Sequence, residues 1–326
     1  MKKVSVLLSV FKPNKEYLIK QLKSINTQTY KNVEVIIYDD CPQLRCDASV
    51  FKENLTNVSY KLLSYNKKNI GYTNAFQKLI ESVDHDGFVA FCDQDDIWLD
   101  NKLEEMISAL LKNKKELAYC DRNEIDSNDK IIRTDVVNPI VKDFNDNNEK
   151  LFIGSPFRTL AQGMSIVCTV SLAKSVLPFN NIAFDKWLSC VALAENKTVH
   201  VSKALVEYRR HDNNVSGVLK NIESKEDYIN QRIIPHNNVV KRLKNKYNNS
   251  SIQIMDNYSQ ARINKKIFKL IKYRWINKTV TNFEIMMFIT PNFIFNAILK
   301  LSKRRWTIWE LKNRFLMQFL IQLLIL

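Results

Sequence analysis

Glycine is scarce, with five residues in a chain of 326, and none falls in a G-x-G-x-x-G or G-x-x-x-x-G-K-[S/T] arrangement. This argues against the glycine-rich phosphate cradles of dinucleotide-binding proteins and P-loop NTPases. Histidine is rarer still, at four, and H-E-x-x-H is absent. The six cysteines contain no C-x-x-C pair, so neither a structural zinc site nor a disulfide framework is indicated. Cys92, Cys120 and Cys168 lie in apolar runs and read as buried thiols, consistent with a reducing, cytoplasmic setting. Long hydrophobic runs are also missing. The N-terminal run Val4 to Phe11 is cut by Lys12-Pro13 with no small-residue cleavage site, and reads as a first strand rather than a signal peptide. The C-terminal FLMQFLIQLLIL, residues 315–326, is too short to span a bilayer.

Acidic residues are unevenly distributed. From Val218 to Leu326 the chain has 20 Lys and Arg against 6 Asp and Glu, a net of +14 out of a total of +15. Residues 1–217 are therefore close to neutral, and they hold all five glycines. This break divides the chain into a body, 1–217, and a basic, mainly helical C-terminal region, 218–326. Such a charge imbalance points to an anionic partner. Lys303-Arg304-Arg305, Trp306 and Trp309 precede the terminal apolar segment, a pattern suited to a helix lying in an anionic membrane interface. A helix packed on protein is the competing reading. No nucleic-acid motif is present.

In the body, short β-branched runs alternate with helical patterns. Val4–Val10, Val33–Tyr38, Val58–Leu63 and Phe88–Cys92 read as strands. Asn14 caps a helix whose Tyr17, Leu18, Leu22 and Ile25 share a face, and Gly71–Val83 and Leu99–Leu111 read as further helices. This alternation predicts an α/β fold with a largely parallel sheet, whose ligands bind beyond the carboxyl ends of the strands. Ser9, Asp39-Asp40 and Asp93-Gln94-Asp95 fall at those ends.

The densest feature is FCDQDDIWLDNKLE, residues 91–104, with Asp93, Asp95, Asp96 and Asp100 in eight positions. Asp100 reads as the cap of the following helix. Three further carboxylates at the mouth of an apolar strand require compensation, and a hard cation such as Mg²⁺ or Mn²⁺ supplies it. An EF-hand loop is excluded, because its sixth position would be Trp98 where the turn needs glycine. Two readings remain on these residues alone: an aspartyl phosphatase with Asp93 as nucleophile, and a nucleotide-sugar diphosphate held through a metal on Asp93 and Asp95.

VSVLLSVFKPNKEYLIKQLKSINTQTY, VEVIIYDD, NKKNIGYTNAF, FCDQDDIWLDNKLE, FDKWLS and VEYRRHDNNVSG occur in that order over residues 3–217. Together they resemble the family 2 inverting glycosyltransferases of GT-A fold, especially the rhamnosyltransferase-like group of bacterial polysaccharide assembly. Phe11-Lys12 stands where that family usually has Tyr-Asn, and Cys41-Pro42 where it commonly has Gly-Ser. The resemblance implies that Ser9 and Phe11 line a nucleotide pocket with Asp39 and that Asp40 accepts from a pyrimidine. It sets Asn69 and Gly71 at the start of a helix facing the donor. Asp185 becomes the base, Asp93, Asp95 and His211 the ligands of Mn²⁺ or Mg²⁺, and Arg209 a diphosphate contact. Gly163 and Met164 fall near the acceptor. The donor implied is dTDP-rhamnose or a UDP-hexose. The acceptor implied is a glycan, lipid-linked, met by a cytoplasmic enzyme at the inner face of the cell membrane. A non-enzymatic basic membrane adaptor would account for the tail but not for the acids.

Overall fold

The computed structural model describes residues 1–211, 221–293 and 295–296. The Lys303–Arg305 cluster, the terminal apolar segment and the boundary at Gly217 lie outside these residues. The chain divides into two compact units, one of residues 1–215 with 239–255 and the other of residues 216–238 with 256–326.

The first unit is built on a nine-stranded sheet among the described residues. Its strands are β1 Val4–Val10, β2 Val33–Asp39, β3 Ser59–Leu62, β4 Phe88–Cys92, β5 Ile97–Trp98, β6 Leu117–Ile125, β7 Ile131–Val136, β8 Ile166–Thr169 and β9 Thr198–Arg209. They lie in the order β3-β2-β1-β4-β8-β6-β9-β5, with β7 beside β6. β1, β2, β3 and β4 pair in parallel, as do β6 and β9. β8 is antiparallel to both β4 and β6, β5 to β9, and β7 to β6. Six of the nine strands therefore run in one direction, which gives the mostly parallel α/β sheet expected from the sequence. The strands VSVLLSV, VEVIIYD and FVAFC are buried almost throughout, because a parallel sheet covered on both faces has no polar side to alternate with.

The covering helices are α1 Lys15–Asn26, α2 Ala48–Asn54, α3 Tyr72–Glu81, α4 Lys102–Asn113, α5 Pro139–Phe144, α6 Asn148–Gly154, α7 Val170–Ser175 and α8 Phe184–Ala194. Asn14 caps α1 as predicted, accepting from the amides of Glu16 and Tyr17, and Leu18, Leu22 and Ile25 face the core. Asp100 does not cap α4; Asn101 holds that position, and Asp100 accepts instead from the Thr27 hydroxyl at 2.6 Å. The short turn between β4 and α4 folds back as β5 against β9, so the chain there reaches a remote partner before it can start a helix.

The helices that follow are α9 Lys225–Tyr228, α10 Ile234–Lys246, α11 Ser250–Ile263, α12 Ile267–Lys272 and α13 Lys278–Ile289. In the second unit Ile222, Tyr228, Ile233, Met287 and Phe295 form a separate apolar core. Beside it, Arg262 and Glu284 form a fully buried bidentate pair, and the Tyr228 hydroxyl donates to the same carboxylate. α13 ends just before Pro291, where proline disfavours helical geometry in the residue ahead of it. Among the described residues no helix is long and apolar enough to cross a membrane.

Candidate active site

The six co-directional strands bring their carboxyl ends to one rim. β1 delivers Phe11, β2 Asp39 and Asp40, β4 the acidic turn, β6 the loop around Asp126, and β9 Arg209 and His211. β8 runs the other way, so its leading turn, Gly163-Met164-Ser165, reaches the same rim.

On the β2 side the carboxylates are engaged in building the rim. Asp39 accepts from the amides of Cys41 and Cys46 at 2.9 and 2.7 Å. Asp40 accepts from the amides of Ile70 and Gly71 and from the Asn69 side chain, each at 2.8 Å. Asp40 therefore clamps β2 to the entry of α3. Gly71 sits there at φ +79°, a conformation that costs other L-residues strain. Ser9 is half-buried near the end of β1. Just beyond, the Phe11 amide donates to Gln94 Oε1 at 2.8 Å, and Gln94 Nε2 donates back to the Phe11 carbonyl at 3.0 Å. Gln94 thereby ties β1 to the acidic turn.

Within that turn the acids differ. Asp96 is fully buried, accepts from the Arg209 amide at 3.0 Å, and has a second oxygen with no hydrogen-bond partner. Its carboxyl is pushed well up by burial and by Asp95 and Asp93. Asp93 is pushed up to about 7, first by burial and then by the charges of Asp95 and Asp185, while Lys102 opposes the rise. Lys102 is fully buried with no hydrogen-bond partner, and its ammonium lies 3.1 Å from the centre of the Trp98 ring. Burial lowers it to about 8. A cation under the turn balances acids that repel one another; its position inside α4 gave no hint of this in the sequence.

Asp95 and His211, both expected as metal ligands, meet directly, with Asp95 Oδ2 and His211 Nε2 2.8 Å apart. Tyr17 stands beside them, its ring 5.8 Å from that of His211 and 4.3 Å from the Arg209 guanidinium. Arg209, expected at a diphosphate, is fully buried. Its Nε donates to the Asp95 carbonyl at 2.8 Å and its Nη1 to the Asp126 carbonyl at 3.1 Å and to Asp129. Asp129, in the β6–β7 turn at φ 65°, also pairs with Lys20 of α1. The structure thus gives Arg209 the work of joining the acidic turn, the hairpin tip and β9.

Hard carboxylate oxygens and an imidazole suit Mn²⁺ or Mg²⁺. The Asp95–His211 pair and the desolvated, mutually repelling Asp93 form a donor set of that kind. Among the described residues no group of three or more His, Cys, Asp or Glu side chains is placed to hold a metal ion. This is compatible with ions that retain waters and take substrate phosphate oxygens.

Asp185 lies in the first turn of α8 and accepts from the Lys186 amide at 2.8 Å. Burial raises its carboxyl above the usual range, and its charge is felt by both Asp93 and Tyr72. Phe184, one residue earlier, fixes this helix end: its ring centre lies 4.2 Å from that of Phe76 and 4.8 Å from that of Phe91. Gly163 passes beneath, where an added Cβ would stand 2.5 Å from Phe184 Cζ. Lys186 points back and donates to the carbonyls of Ser155 and Arg158, both at 3.2 Å.

The geometry thus sets the acidic turn and a further raised carboxyl, Asp185, at the same rim. Residues 5–165 match the family described as Glycosyl transferase family 2. The chain is 33% identical over 125 residues to the Escherichia coli UDP-Glc:alpha-D-GlcNAc-diphosphoundecaprenol beta-1,3-glucosyltransferase WfgD, covering 37% of this chain and 48% of that protein. It therefore spans about half the length of that relative. An uncharacterized glycosyltransferase of Methanocaldococcus jannaschii is 23% identical over 222 residues, 67% of this chain and 74% of its own. Among solved structures, S. aureus TarS 1–349 in complex with UDP-GlcNAc superposes with a TM-score of 0.57 at 15% identity, covering 93% of this chain and 91% of that one. The mannosyltransferase PcManGT from Pyrobaculum calidifontis, in complex with GDP-Man and Mn²⁺, gives 0.53 at 12% identity, covering 93% and 81%. At these identities the superpositions speak for the fold alone.

Proposed function

Since the chain belongs to glycosyl transferase family 2 through residues 5–165, we propose that it moves one sugar from a nucleotide-diphosphate donor to a glycan hydroxyl with inversion. The observation that carries this reading is the approach of Asp185 to the acidic turn, close enough for its charge to raise Asp93. A donor diphosphate beside Asp93 and Asp95 would then have its anomeric carbon on the side of Asp185.

In the reaction, Asp185 takes the proton of the acceptor hydroxyl as that oxygen bonds to the anomeric carbon. The bond from that carbon to the diphosphate breaks, its electron pair leaving on the phosphate oxygen. Asp95 and His211, with Asp93 alongside, would hold Mn²⁺ or Mg²⁺, which supplies charge neutralisation for the diphosphate. Arg209, Lys102 and Gln94 position the turn without touching substrate. Ser9 and Phe11 border the nucleotide side, where Asp39, Asp40, Asn69 and Gly71 shape the wall. The phosphatase alternative loses ground, because residues 5–165 match a glycosyl transferase family.

The glucosyltransferase relative favours a UDP-hexose over dTDP-rhamnose, and a lipid-diphosphate-linked glycan as acceptor. The test is a panel of UDP-, dTDP- and GDP-sugars with Mn²⁺, reading release of nucleoside diphosphate and product anomeric configuration in the presence of lipid-linked acceptors. Transfer with retained configuration would refute the single displacement. A phosphoenzyme trapped on Asp93 would restore the phosphatase.

A further inference from the structure

The proposed acceptor places the reaction beside a bilayer, and the second unit carries a surface suited to meeting one. In α12 and the turn after it, Leu270 and Ile276 are fully buried and fix the orientation of the segment. The opposite side is left to solvent: Phe268 is 89% exposed, Ile271 53% and Trp275 42%. Spacings of three and four residues put these side chains on one face, and the bonds Arg274 N to Ile271 O and Ile276 N to Tyr273 O continue the helical winding past Lys272. A phenylalanine standing almost fully in water next to two further large apolar groups is a patch that calls for an occupant.

The surroundings of the patch identify that occupant. Lys265, Lys266, Lys269, Lys272, Arg274 and Lys278 lie within fourteen positions, and no Asp or Glu occurs between Asp256 and Glu284. The positive field reaches further: the ammonium of Lys225 is depressed first by burial and then by the charge of Lys265. A nucleic acid would use the lysines but not bare Phe and Ile side chains. A neutral protein groove would use the apolar groups but not the six cations. An anionic lipid surface uses both: aromatic and aliphatic groups enter the headgroup boundary while lysines meet phosphates.

We infer that the α12 ridge docks on anionic bilayers, with Phe268, Ile271 and Trp275 inserted and the lysines on headgroups. This rests on the proposed membrane-side reaction for its purpose, but it assigns the contact to described residues rather than to the terminal segment.

The experiment uses the full chain in flotation with vesicles of phosphatidylcholine alone or mixed with phosphatidylglycerol. Wild type is expected on the mixed vesicles only. F268S/I271S/W275S and K265Q/K266Q/K269Q are each expected to weaken binding, the latter on the order of a hundredfold at about fivefold per lysine. The lysine variant should keep the wild-type melting temperature, since its altered groups face solvent, and both variants should keep transfer to a short soluble acceptor. If the apolar triple lowers the melt, F268S alone decides. Wild-type vesicle binding by either variant set overturns the assignment, as does equal wild-type binding to neutral vesicles. A dimer in light scattering that disappears in the apolar variant, without vesicle binding by wild type, overturns it in favour of self-association. Loss of transfer to the soluble acceptor by wild type itself would instead strike the glycosyltransferase reading.

Discussion

Asp185→Asn preserves the outline of the side chain and removes its basicity. Transfer should fall about 10²–10⁴-fold, the usual contribution of positioned proton acceptance, while donor affinity measured by calorimetry with Mn²⁺ stays within about twofold. Equal losses in both would make Asp185 a helix-end residue only. Asp93 offers a second reading at this scale. In the fold its carboxyl holds a proton up to about pH 7, whereas in the unfolded chain it ionises near 4. Between those values the native state carries the extra proton, so its stability declines as pH rises and the loss is complete above 7. Asp93→Asn does not titrate. In EDTA its melting temperature relative to wild type should climb from pH 4 to 7 and then level off. The scale is about 2–4 °C for each kcal/mol in a domain of this size. A pH-independent difference would show that Asp93 is not strained by its neighbours.

Among the elements, the β6–β7 hairpin has the broadest reach for its size. Its tip meets α1 through Lys20 and through the Tyr17 hydroxyl on the Ser127 carbonyl, and meets β9 through Arg209. Asp129→Ala removes one partner of a fully buried guanidinium, but Asp129 is itself a third exposed and Arg209 keeps two carbonyl acceptors, so the cost in urea melts should be about 1–2 kcal/mol, below that of a wholly buried pair. Donor affinity should fall with it, because Arg209 supports the Asp95 backbone. An unchanged melt would mean that the hairpin is ornamental to the site. This element also marks where sequence reading stops. β1 and β4 were legible to the residue, since uninterrupted apolar runs have one sensible burial. Asp93 and Asp95 were legible as charges crowded at the mouth of an apolar strand, whereas Asp185 was singled out only through the family resemblance. The stretch 121–150 gave no chemistry, because Asp126 and Asp129 matter through partners 80 to 109 positions away. Arg209 was expected at a diphosphate, and only the three-dimensional fold shows it enclosed by Tyr17, Asp129 and the acidic turn. Lys102 was hidden in the same way: in a helix beginning NKLEE it reads as solvated, yet it points beneath Trp98.

For the molecule as a whole, a net charge of +15 concentrated in its last third makes ionic strength a lever. Binding to anionic vesicles should weaken steeply between 0.1 and 1 M salt, as the screening length contracts from about 10 to about 3 Å. Transfer to a soluble acceptor should hardly change over that range. Salt-insensitive vesicle binding would assign the attachment to apolar insertion alone. The strand order has a further consequence, for the chain as it leaves the ribosome. β9 is the last strand of the sheet to be synthesised, yet it lies between β6 and β5 and carries the arginine that pins the acidic turn. Until Thr198–Arg209 emerges, the nascent chain presents an unpaired strand edge on β6 and leaves its carboxylates without their anchor. Open edges of this kind recruit other strands, so the interval between residues 125 and 209 is when a growing polypeptide most needs shielding by chaperones. A fragment cut at residue 165 would remain in that exposed condition indefinitely.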